Sequence, residues 1–220
     1  MMKKPNYFLS AVLGVCLMIG VAEASTFLDF TQTQYNPGIN SPTVTVPNVL
    51  GDIDITFTAL GEAGSTPYLS WFTSANPDPS GGNDGFGVFG GGGYENDEVE
   101  LPEILLIEFS DAVIANSFNL TDFFIEERRG STYSETGMYS IDGGSWNFFY
   151  ADAPSGNGLF TLNLNTALNS IAFTSLGDVA NIQDHEFSVA GAHVTAVPVP
   201  PALLLLGSGI LGLGIIRKKL

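Results

Sequence analysis

Apolar residues recur at every second position through most of this chain. Ile53, Ile55 and Phe57 alternate with Asp52, Asp54, Thr56 and Thr58; Phe118 and Leu120 alternate with Asn119 and Thr121; Phe160, Leu162 and Leu164 alternate with Thr161, Asn163 and Asn165. A period of two sends one set of side chains to a core and the other to water, which is the signature of a half-buried β-strand. Ile104-Leu105-Leu106-Ile107 is unbroken, as in a central strand covered on both faces. Asp142-Gly143-Gly144-Ser145, between the apolar stretches 138–141 and 146–150, predicts a tight hairpin turn. About ten such runs occur and no amphipathic helical stretch precedes residue 197. The pattern predicts an all-β fold, a β-sandwich of jelly-roll type.

Residues 76–93 break the alternation. They are Pro, Gly, Asn and Asp with few apolar residues, and predict a long irregular loop. Inside it, Gly85-Phe86-Gly87-Val88-Phe89-Gly90 matches the spacing of a dinucleotide fingerprint. No strand-to-helix unit surrounds it, and Glu95, Asp97 and Glu98 follow where a helix N-terminus should meet phosphate, so a nucleotide site is rejected.

The two ends differ from the body. Lys3-Lys4, the apolar residues 7–21 and Ala22-Glu23-Ala24 predict a secretory signal peptide over residues 1–24, cleaved before Ser25. The single cysteine, Cys16, lies within it, with Val15 rather than a small residue before it, so thiol and disulfide chemistry are excluded from the mature chain. Residues 25–196 form the β domain. At the other end, Val197-Pro198-Val199-Pro200-Pro201 cannot continue a strand ladder. Residues 203–216 are apolar or glycine apart from Ser208, and predict one C-terminal membrane helix. At about 1.5 Å per residue it reaches about 21 Å, short of the roughly 30 Å hydrocarbon core. Arg217-Lys218-Lys219 then holds the cytoplasmic side and leaves the body outside.

Residues 197–220 resemble the PEP-CTERM sorting signal of bacterial exported proteins: a Pro-x-Pro motif, a short helix punctuated by Gly207, Gly209, Gly212 and Gly214, and a basic end. The glutamate usual between the prolines is Val199 here. The resemblance implies an exosortase-type transpeptidase as partner, cleavage near Pro198 and Pro200, and an inner-membrane precursor facing the periplasm that passes to the cell surface or matrix. It also implies an association with extracellular polysaccharide and biofilm; a non-enzymatic role is expected because the sequence offers no convergent nucleophile, base or metal triad. The bland alternative for the same residues is a plain C-terminal anchor.

Charge narrows the partners. All acidic residues but Glu23 lie in residues 25–201, and of the bases only Arg128 and Arg129 do, so this stretch has 22 acids, two bases and a formal charge of −20. Such a body repels phosphate backbones and anionic headgroups, which argues against nucleic acid. It attracts divalent cations: Glu95, Asp97, Glu98, Glu100 and Glu103 fall within nine residues of each other, and hard oxygen donors so close suit Ca²⁺. The alternative is a solvated acidic turn guarding a strand edge.

Other motifs carry less. His185-Glu186 has Val189 where a zinc metalloprotease helix would have its second histidine. His185 and His193 would share a strand face, but a bulge at Gly191 would flip the later half, in keeping with Phe187 and Val189 at odd positions and Val194 at an even one. Glu126 and Glu127 point to opposite faces of any strand, so they do not flank one glycosidic bond; they are expected beside Arg128-Arg129 on a surface loop. No Gly-x-Ser-x-Gly occurs. The aromatic group Trp146, Phe148, Phe149 and Tyr150, with Trp71-Phe72, offers rings for stacking on sugars, and Trp71 and Trp146 are the candidate platforms of a calcium-braced carbohydrate-binding module.

Overall fold

In the computed structural model the period-two stretches form twelve strands: β1 Thr26–Asp29, β2 Thr43–Leu50, β3 Ile53–Leu60, β4 Tyr68–Trp71, β5 Phe86–Phe89, β6 Ile104–Thr121, β7 Ile125–Arg128, β8 Ser131–Ser134, β9 Thr136–Ile141, β10 Asn147–Tyr150, β11 Phe160–Ser175 and β12 Ser188–Ala196. A 3-10 turn, Thr33–Tyr35, follows β1. The structure describes residues 24–38, 41–61, 65–71, 85–89, 98–99, 101–128, 131–151, 158–176 and 185–197, without the side chains of 126–128 and 131–133. Ser25–Ala196 is one unit; of the other, Met1–Ala24 with Val197–Leu220, only Ala24 and Val197 are described. The signal-peptide, Pro-x-Pro, helix and basic-tail expectations therefore lie outside the described residues, apart from those two. Among the described residues no helix is long and apolar enough to cross a membrane.

Ten strands make a single antiparallel sheet, and β7 and β8 make a separate hairpin. The sheet supplies two layers because its longest strands belong to both. Strand β6 pairs with β3 as far as Phe109 and with β12 from Val113 onward. Strand β11 follows β6 along its length, with register slips between Asn163 and Thr166 and between Leu168 and Ser170. Its later half then pairs with β9, which carries β10. One layer is thus β2, β3, the start of β6, the end of β11, β9 and β10; the other is the end of β6, the start of β11, β12, β1, β5 and β4. At the corner Ser110 and Asp111 are exposed, where the strand turns from one layer to the next.

The inward residues meet across the layers. Phe57 of β3 stacks on Phe86 of β5 at 4.1 Å between ring centroids, and Phe30 and Tyr35 meet Phe57 edge-on at 4.9 and 5.9 Å. Phe173 of β11 meets Phe118 of β6 edge-on at 5.3 Å. These rings and Ile55, Leu105, Ile107, Val113, Leu120, Leu168 and Ile171 are buried. Burial along β3 alternates strictly, as the sequence predicts. The expected parity switch in β12 is present too: Phe187, Val189, Ala192 and Val194 are buried, and the register slips between Val189 and Gly191.

Two expectations are corrected. The loop assigned to residues 76–93 contains β5, which pairs with β4 and with Val189 of β12. Gly85 reads as loop but serves close packing: a Cβ there, at φ +110°, would lie 2.3 Å from the Val189 carbonyl oxygen. The stretch around Glu126 and Glu127 is likewise not a loop, since Ile125–Arg128 pairs antiparallel with Ser131–Ser134. Two paired strands of four residues each are too short to show much period-two signal.

Candidate functional site

The hairpin of β9 and β10 presents the most exposed aromatic surface among the described residues. Asp142 (φ +48°) and Gly143 (φ +69°) take the left-handed conformations of a type I′ turn, closed by Gly144 N–H donating to the Ile141 carbonyl at 2.8 Å. The Asp142 carboxylate accepts the backbone N–H groups of Asn169 and Ser170 at 2.9 and 2.8 Å, which ties the turn to β11. The register that follows sets Phe148 opposite Met138 and Tyr150 opposite Thr136.

Phe149 anchors this strand. Its ring is buried against Phe123, Phe160 and Phe187, with centroids at 5.2, 5.7 and 5.4 Å. It lies over Gly137, where a Cβ would come within 2.0 Å of the ring. With Phe149 turned inward, Trp146, Phe148 and Tyr150 share the opposite parity and are 40%, 52% and 57% exposed. Phe148 and Tyr150 are alternate residues of β10, roughly 7 Å apart, and Trp146 lies just before the strand, at the end of the turn. Among the described residues β10 pairs with β9 alone, so the exposed rings lie at an edge of the sheet. No ionisable group interrupts them except the Tyr150 phenol. A row of rings without charge attracts flat ligands with polarised C–H faces, since the ring face is the negative pole of its quadrupole.

The other expected site residues are placed differently. Trp71 is half-buried, packs against the core and donates its indole N–H to the Phe30 carbonyl at 2.9 Å, so its ring is spent on the fold. Glu95, Asp97 and Glu100 lie outside the described residues. Glu98 gives its backbone carbonyl to the Val88 N–H at 3.0 Å, and Glu103 is buried at the head of β6. Among the described residues no three His, Cys, Asp or Glu side chains converge to hold a metal ion. His185 Nδ1 accepts the Thr136 N–H at 2.9 Å, whereas His193 lies beside the Phe27 ring at 4.7 Å. Ser25 donates its hydroxyl to Asn116 Oδ1 at 3.3 Å, and Val197 is exposed.

Phe148 and Tyr150 are the residues that sequence reasoning left behind Trp146. Their shared parity with it was readable; which parity faces water was not, because Phe149 is as apolar as its neighbours.

The comparisons leave the family open. The chain matches no protein-family model and no curated protein. Among solved structures it is similar to a family 35 carbohydrate binding module from Clostridium thermocellum, at 13% identity over 63% of this chain and 92% of that one, with a TM-score of 0.31. At that score the likeness carries no argument about ligand or activity.

Proposed function

We propose that this chain is an exported, non-enzymatic surface or matrix protein whose jelly-roll-like β domain binds neutral polysaccharide. In this reading the C-terminal residues act as a PEP-CTERM-type signal for an exosortase-type transpeptidase. The observation that carries the binding role is the exposed Phe148 and Tyr150 on an edge strand, with exposed Trp146 just before it, while the alternate residue Phe149 is locked in the core. Neighbouring rings left in water form an apolar patch of the kind that marks a binding surface. A sugar chain suits them: each pyranose has a C–H face for a ring and hydroxyls that stay solvated. The formal charge of −20 over residues 25–201 turns away acidic chains and leaves neutral ones.

The test is retention of the protein on insoluble neutral polysaccharides and titration with their soluble oligomers. Trp146→Ala and Phe148→Ala should each weaken binding about tenfold, equivalent to about 1.4 kcal/mol, with melting temperature unchanged. Equal retention of the wild type and the double variant on every neutral chain would remove the stripe from the account.

A further inference from the structure

A groove of about 330 Å³ lies between β1 with its following 3-10 turn and the Val46-Pro47-Asn48-Val49 part of β2. Both walls are built in. Pro47 has no N–H for a ladder, and the pairing of β2 with β3 slips between Val46 and Leu50. Asn48 takes a φ of +56° there, and its N–H donates to the Asp54 carboxylate at 2.9 Å. The slip pushes residues 47–49 out as one wall.

The opposite wall is β1. Its consecutive residues from Thr26 to Asp29 all line the groove. Side chains alternate along a strand, so a groove touching all four runs along the strand's backbone edge. Among the described residues β1 pairs only with β12, which leaves N–H and C=O groups on that edge for a ligand.

Side chains from both walls complete the surface. The Phe27 ring is 45% exposed and is supported by the His193 ring at 4.7 Å and by Gly191, where a Cβ would come within 2.9 Å of it. Asp29 accepts the Thr31 hydroxyl and N–H at 2.6 and 3.1 Å and the Gln32 amide at 2.7 Å. Burial pushes the Asp29 carboxyl up, but these hydrogen bonds outweigh it and hold the group below its usual range, so it is ionised and oriented. Leu28, Tyr35 and Val46 lie buried at the base, and Gln32 and Asn48 stand at the rim.

We propose that this groove is a binding site for a neutral sugar unit, separate from the β10 stripe and not resting on it. Phe27 takes the C–H face of the ring, while the β1 edge, Asp29, Gln32 and Asn48 take its hydroxyls. An anionic ligand would meet Asp29 in an already negative body, and a purely apolar one would desolvate the polar rim. The volume lies at the small end of the roughly 300–1,000 Å³ typical of small-molecule sites.

The test uses the full chain in a detergent without a sugar headgroup, followed by amide-resolved NMR during titration. The probes are neutral oligosaccharides from β-glucan, mannan and chitin, with oligogalacturonate as the acidic control. The expected result is saturable shifts at the amides of β1 and Asn48 for a neutral probe. Phe27→Ala, and Asn48→Gly which keeps the positive φ, should each weaken that response about tenfold or more, while Trp146→Ala leaves it unchanged. Shifts confined to β10 and lost in Trp146→Ala would overturn the groove and leave the stripe standing. A β1 response lost in Phe27→Ala but kept in Trp146→Ala supports the groove whatever becomes of the stripe. Preference for oligogalacturonate, or no response at β1, overturns it.

Discussion

Gly191 shows how much one residue decides. A Cβ there would lie 2.7 Å from the Leu28 carbonyl oxygen and 2.9 Å from the Phe27 ring, so β1 would have to lift from β12. Gly191→Ala should cost about 1–3 kcal/mol in urea denaturation, and a loss inside experimental error would mean that β1 yields freely. Asp29 gives a prediction with a sign in pH. Its folded carboxyl titrates below the ordinary 3.8, so its stabilisation is complete above that value and disappears as the pH falls through the lowered folded value. Asp29→Asn should therefore melt below the wild type at about pH 6, and the gap should close as the pH falls below the ordinary 3.8 and through the lowered folded value. A gap independent of pH would assign the difference to shape rather than charge. Tyr35 runs the other way: burial first, and then the charge of Asp29, raise its phenol, against the opposing hydrogen bond of Gln34.

At the scale of elements, β6 and β11 carry the architecture because each bends once and serves two layers. The first register slip in β11, between Asn163 and Thr166, depends on Asn165, which takes a φ of +52° and accepts Asn116 Nδ2 at 3.4 Å. Asparagine tolerates the left-handed region and a β-branched residue does not. Asn165→Gly should be neutral within about 0.5 kcal/mol and Asn165→Val should lose about 1–2 kcal/mol. Chemical denaturation of the two variants checks this, and equal stability would show that the slip relocates. The same device explains why parity in β6 changes midway: Val113 and Ala115 are buried on odd positions, Phe118 and Leu120 on even ones. Across the layers, the stacked pair Phe57 and Phe86 ties β3 to β5, and Phe57→Ala should cost about 3–5 kcal/mol.

The whole molecule is tested through its delivery and its metal binding. If residues 197–220 are a sorting signal, intact mass of the exported form should end near Pro200, and residues 197–220 fused to an inert exported reporter should change where the reporter goes. A full-length terminus on the mature protein would leave a plain anchor. If the acidic residues 95–103 hold calcium, the melting temperature of the protein should rise in millimolar Ca²⁺ and fall with chelator, and Asp97→Ala with Glu98→Ala should abolish the difference. Indifference to both would remove the metal. A charge of −20 over residues 25–201 makes salt a necessary control, since screening alone raises the stability of so acidic a body.

The fold class was legible in the sequence because a half-buried strand writes its period directly into composition, as Ile53, Ile55 and Phe57 do, and because Asp142-Gly143 names its own turn. Gly85 to Phe89 escaped that reading: glycine there means close approach of another backbone, and only the partner strand shows it. The sequence alone also set the acidic balance, the absence of cysteine after Cys16 and the character of both ends, all of which are properties of the chain that need no folding. Pairing across long separations was decided by the tertiary structure. Phe149 and Phe148 are chemically the same, and what sorts them into core and surface is the ring of Phe160 on a distant strand. The groove beside β1 likewise joins Phe27 to Asn48 through a bulge and a strand edge, neither of which has a period to read.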